Sequence, residues 1–144
     1  MRISSKINYA CRALIELAQK SSSTKCIKIY EIYRSQKIPQ KYLVQILIQL
    51  KKAEIIESVR GKEGGYYLLK QPDKIFLKNI FEIFEGGSFS QSEISKDQKL
   101  VSQHCLNDVW NELEKTIAVF IGRITIQHLV DAIRKQNRNY VYHI

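Results

Sequence analysis

Proline, glycine and cysteine are all scarce: two, six and three residues in a chain of 144. No internal repeat or low-complexity tract accompanies them. Cys11, Cys26 and Cys105 make no paired or ligand-like spacing, which argues against a disulfide scaffold or a zinc finger. No apolar run approaches the ~20 residues of a membrane helix, and the first residues do not read as a signal peptide, so no membrane partner is expected. Catalytic constellations are missing too. There is no Ser/His/Asp or Cys/His arrangement, no pair of carboxylates on one face, and His104, His128 and His143 share no ligand spacing. The reading is a reduced, intracellular, soluble chain that is not an enzyme. Its length suits about one domain of ~100–200 residues, and 44% hydrophobic against 26% charged residues excludes global disorder.

Acidic residues are in deficit. The 14 Asp and Glu face 23 Lys and Arg, a net charge of +9. The excess is lopsided: residues 1–87 hold 16 basic against 8 acidic residues, whereas residues 88–144 hold 7 against 6. A genome rich in A and T favours Ile and Lys, and the chain has 21 and 16 of them, but that bias would act on both halves. A one-sided excess points to a segment facing a polyanion, joined to one that does something else.

The pattern along the chain is mostly helical. Ile7, Ala10, Cys11, Leu14, Leu17 and Ala18 share a helix face, with Ser4 or Ser5 as cap and a stop at Ser21-Ser22-Ser23. Cys11 reads as core packing. A second helix over Tyr30–Gln36 is broken by Lys37-Ile38-Pro39, and a third should start there and run to about Ala53. Leu43, Ile46, Leu47 and Leu50 form its apolar stripe; Lys41, Gln45, Gln49 and Lys52 lie opposite, with Tyr42 beside them. This is a helix-turn-helix pattern. Ile55–Arg60 and Tyr66–Leu69 then read as strands around Gly61-Lys62-Glu63-Gly64-Gly65, the wing of a winged helix. A phosphate cradle would lead from strand to helix, and this turn leads from strand to strand. A further helix through Leu77, Ile80, Phe81 and Phe84 stops at Gly86-Gly87.

The last third changes rhythm. Leu106, Trp110, Leu113, Ile117, Phe120 and Ile124 are spaced 4, 3, 4, 3 and 4, a coiled-coil seam of roughly 28 Å that needs a partner surface. The candidates are the same helix of a second subunit and the protein's own core, and the second subunit is the expected one. Thr125 can cap a final helix through Ile126, Leu129, Val130 and Ile133, and the polar segment from Arg134 to Tyr142 should fray. The expected organisation is a winged helix-turn-helix over 1–86, a loop over 87–104, and a dimerisation helix with a C-terminal helix over 105–144. The fold class is mainly α with a small β-hairpin wing.

Several stretches together resemble the Rrf-two family of bacterial winged-helix regulators, the IscR, NsrR and CymR type. They are the opening Met1-Arg2-Ile3-Ser4-Ser5-Lys6-Ile7-Asn8-Tyr9-Ala10, then Ile38-Pro39-Gln40-Lys41-Tyr42-Leu43, then Ser58-Val59-Arg60-Gly61 with Gly64-Gly65-Tyr66, and finally Cys105 to Trp110. The likeness runs to about residue 130. It implies a homodimer on a partly palindromic stretch of double-stranded DNA, acting as a repressor. On that likeness Gln40, Lys41, Tyr42 and Gln45 enter the major groove, and Arg60 and Lys62 probe the flanking minor groove.

One departure matters. Family members that sense iron, nitric oxide or redox state hold an iron–sulfur cluster on three cysteines, but the stretch from Gly86 to Trp110 contains only Cys105, with His104 beside it and Asn107 three residues before Trp110. That is too few ligands, so no cofactor is expected and the chain resembles the cluster-free branch. A regulatory protein, a small-molecule effector or oxidation of Cys105 would then set its activity. An RNA-binding winged helix, a dimeric protein-interaction adaptor and an iron–sulfur redox sensor are the competing readings. A bacterial cytoplasm fits the absence of a transit peptide, and a plastid stroma fits the Ile- and Lys-heavy composition.

Overall fold

Ser4 opens the first helix, its hydroxyl accepting a hydrogen bond from the Ile7 N–H at 3.4 Å. In the computed structural model, which describes residues 3–22, 24–86 and 100–141, that helix is α1 (Ser5–Lys20), ending at Ser21 as expected. It is the centre of the molecule. Ile7, Ala10, Ala13, Leu14 and Leu17 lie buried along it, and α2 (Ile29–Gln36), α3 (Gln40–Lys52), α4 (Leu77–Glu85) and α6 (Ile126–Val141) all pack against it.

Two left-handed residues shape the helix-turn-helix, and neither is glycine. Lys37 (φ 50°) ends α2 and sends Ile38 into the core, so that Pro39 stands just before α3, where its missing N–H costs nothing. Glu54 (φ 55°) ends α3 and lets the Ile55 N–H bond back to the Leu50 carbonyl at 3.0 Å. Glu16 locks α2 to α1. Almost fully buried, it accepts a hydrogen bond from Gln36 Nε2 at 2.7 Å and pairs with Lys20.

The hairpin follows at once. β1 (Ile56–Val59) pairs antiparallel with β2 (Gly65–Leu68), Ile56 opposite Leu68 and Val59 opposite Gly65. The segment before α2 adds a third rung: Ile27 and Tyr66 exchange N–H···O bonds of 2.9 and 2.8 Å. This approach is so close that a Cβ on Gly65 would stand 2.5 Å from the Ile27 carbonyl oxygen, and Gly65 holds a φ of 155° there. The base of the wing is thereby tied to the body.

A single 3-10 turn over Pro72–Lys74 leads to α4, which stops at Gly86 in left-handed conformation. The long helix α5 (Val101–Ile121) begins four residues ahead of the expected Cys105. It also ends sooner: Ile124, placed by its spacing at the end of the seam, lies beyond Gly122 in the turn, where its carbonyl accepts from the Leu77 N–H at 2.9 Å. Thr125 and His128 cap α6 reciprocally, the His128 N–H donating to Thr125 Oγ1 and the Thr125 N–H to His128 Nδ1. Rather than fraying after Ile133, α6 continues to Val141. Its Ile126 and Val130 are buried in the core that α1 organises. No helix among the described residues is long and apolar enough to cross a membrane.

Candidate nucleic-acid interface

The exposed face of α3 follows from its buried one. Leu43, Ile46, Leu47 and Leu50 are at most 2% exposed, and at 3.6 residues per turn the row directly opposite is Lys41, Gln45, Ile48 and Lys52. All four are exposed, as is Gln40 in the first turn. Gln49, placed on this face by the spacing argument, is half-buried at its edge. Tyr42 lies on the flank towards α1, its ring 6.0 Å from that of Tyr9, and the Arg12 guanidinium stands 5.7 Å from the centre of the Tyr9 ring. Tyr9 and Arg12 thus join the surface beside α3. Composition and periodicity missed them, although Tyr9 stands in the opening motif.

At the wing, Arg60 and Lys62 are exposed on either side of Gly61, in a turn closed by a 3.0 Å bond from the Gly64 N–H to the Gly61 carbonyl. Among the described residues no ion pair engages Lys41, Lys52, Arg60 or Lys62. Lys51 is different. Its Nζ lies 2.8 Å from a Glu57 carboxylate oxygen and 2.6 Å from Ser58 Oγ, which fixes the end of α3 to β1. The pairing with Lys51, with help from the Ser58 N–H, holds the Glu57 carboxyl below its usual range. One lysine therefore ties helix to wing, while Lys41, Lys52, Arg60 and Lys62 are left without an ion pair among the described residues.

This geometry, a capped helix-turn-helix with a pinned wing, meets its match in known proteins. The family profile of Rrf2 (Rrf-two), described as an iron-dependent transcriptional regulator, covers residues 3–132. The chain belongs to the Rrf2 family. A Neisseria meningitidis protein named as an HTH-type transcriptional regulator is 31% identical over 132 residues, 91% of this chain and 88% of the relative. Among solved structures, CymR of B. subtilis is 26% identical with a TM-score of 0.78, over 92% of this chain and 98% of CymR. IscR of T. potens is 27% identical with a TM-score of 0.74, over 92% and 88%. This Rrf2 protein is accordingly a winged-helix, DNA-binding transcriptional regulator and not an enzyme.

The iron of the family description does not fit the donor set of this member. Cys105 is exposed on α5 with His104 next to it, Cys26 precedes the Ile27 bridge, and Cys11 lies on α1, partly buried against the core. Burial pushes the Cys11 thiol up to about 12, far from the thiolate that a metal requires. Among the described residues no three His, Cys, Asp or Glu side chains converge, and residues 87–99 contain neither Cys nor His. One chain cannot supply three or four cluster ligands in this way.

The seam residues Leu106, Trp110, Leu113 and Phe120 are 44–65% exposed, with Val109 and Val119 beside them; Ile117 is half-buried towards the body. Few soluble chains leave so large an apolar row on one helix uncovered.

Proposed function

We propose that this Rrf2 protein represses transcription as a homodimer, two copies pairing along α5 and setting their α3 helices into successive major grooves of a partly palindromic operator. The observation that carries the reading is the division of surfaces. Uncommitted cations and amides occupy α3 and the wing, whereas the uncovered apolar side chains of α5 form a separate row. Leu106, Trp110, Leu113 and Phe120 form the dimer contact, with Ile117 and Ile124 supporting it from the side of the body. Spacing between the two α3 helices then sets the half-site spacing.

Within each half, Lys41, Arg60 and Lys62 supply phosphate affinity that is largely independent of sequence. Gln40 and Gln45 read base edges, a bidentate amide–adenine pair discriminating by ~1–3 kcal/mol. Tyr42, braced by Tyr9, positions the first turn. The regulator works in the bacterial cytoplasm, and its signal is a partner protein, a small molecule or oxidation of the exposed Cys105 rather than a bound cluster.

Selection of duplexes from a randomised library by the purified protein tests this directly. The expected product is a partly palindromic motif. Gln45→Ala should relax preference at one base position per half-site. Lys41→Ala and Lys62→Ala should weaken binding to every sequence, each lowering the salt slope by about one. Enrichment of no motif, or equal losses across the library for both kinds of variant, would contradict the assignment.

A further inference from the structure

On the reading of α3 as the helix that enters the major groove, one side chain is out of keeping with its surroundings. Ile48 is 56% exposed, more than Tyr42 or Val44, the other large apolar residues exposed on α3. It is not at an edge. Lys41, Gln45, Ile48 and Lys52 recur at spacings of four, three and four, and Ile48 stands in the middle of that row, opposite the buried stripe. Leaving an isoleucine in water forfeits the gain from burying it, a gain that a ligand offering an apolar group at this point of the face would recover.

The neighbours decide which surface that is. Lysines lie on both sides of Ile48 along the helix, and neither is held by an ion pair among the described residues. Such a face attracts a polyanion, whereas covering it with an apolar protein surface would strip the lysines of water without pairing them, and the apolar row open to a protein lies on α5 instead. In a DNA major groove the base edges are polar with one exception, the 5-methyl group of thymine. We infer that Ile48 packs against a thymine methyl group in each half-site and so selects thymine at that position, beside the base read by Gln45. Lys41 and Lys52 hold the flanking phosphates while the isoleucine is covered.

Replacing thymine by 2′-deoxyuridine removes that methyl and leaves pairing intact. The best duplex selected by the protein from a randomised library is synthesised with deoxyuridine at one thymine position at a time, symmetrically in the two half-sites. The native protein should lose about fourfold in affinity for each methyl removed at a single position, the size expected for burying one such group. Ile48→Ala should bind the thymine duplex as weakly as the native protein binds the deoxyuridine one, and should no longer distinguish the two. Ile48→Val, which keeps branched methyl groups, should retain the distinction. Equal binding of thymine and deoxyuridine duplexes by the native protein at every position would overturn the inference while leaving the groove assignment standing, as would full sensitivity in Ile48→Ala. Failure to select any duplex would overturn both.

Discussion

Glu16 shows how a single buried carboxylate, bonded to α1 and α2, serves the helix that follows them. Burial alone would raise its carboxyl, but hydrogen bonds from Lys20, Gln36 and Ser35, together with the Lys20 charge, outweigh that and hold it below its ordinary range. The charged form therefore ties the end of α2 to α1 and keeps the turn into α3 in place. A carboxyl lowered on folding stabilises the folded state fully above its unfolded value, and that contribution is lost as pH falls through the folded value. Glu16→Gln should cost about 1–3 kcal/mol in urea denaturation near neutral pH, the worth of hydrogen bonds to a charged group. The gap should shrink at acid pH, below the ordinary carboxylate range, as the native carboxyl also takes up its proton. A gap of the same size at both pH values would contradict this role. Nothing in the sequence singled out Glu16: on a helix it reads as one more solvated charge, and only the packing of α2 across it makes it a tie.

At the scale of elements, the wing depends on a rung that local sequence cannot show. Gly64-Gly65 reads as a turn, but Gly65 is needed because the Ile27 backbone crosses it, 38 residues away in the chain. Gly65→Ala should cost about 2–3 kcal/mol through backbone clash and strain. For a domain of this size that lowers Tm by roughly 6–12 °C, and DNA affinity should fall with it as Arg60 and Lys62 lose their fixed base. An unchanged melting curve would refute the rung. The elements with strong local signals, α1, α3, the hairpin and α4, are legible because apolar period, Ser4, Pro39 and the paired glycines agree. The ends of α2 and α3 carry weaker signals, since the left-handed positions are filled by Lys37 and Glu54. A perfect heptad spacing carried the expected seam to Ile124, yet the helix stops at Ile121, because Ile124 bonds to the start of α4. The return of α6 onto α1 is a long-range packing choice, and its polar end hid the helix that continues to Val141.

For the molecule as a whole, two surfaces with different chemistry lie on one chain. The cationic face of α3 and the wing was legible from charge and spacing, but its centre was not: a polar face was expected, and the structure puts Ile48 there. Tyr9 and Arg12 became visible only when α1 and α3 were brought together. The apolar row of α5 was legible as a rhythm, and in the single chain Leu106, Trp110, Leu113 and Phe120 stand exposed along it. On the proposed function pairing and reading are one property, because each α3 would have an operator half-site only if a second copy held it at the right distance.

Sedimentation of the protein with and without its selected duplex, for the native chain and for Trp110→Ala, tests that coupling most directly. The expected result is a native dimer, two chains on each duplex, and a Trp110→Ala chain that dissociates and loses about a hundredfold or more in DNA affinity, as for a buried aromatic anchor. One chain per duplex, or an undiminished dimer in Trp110→Ala that binds the duplex as the native protein does, would contradict it.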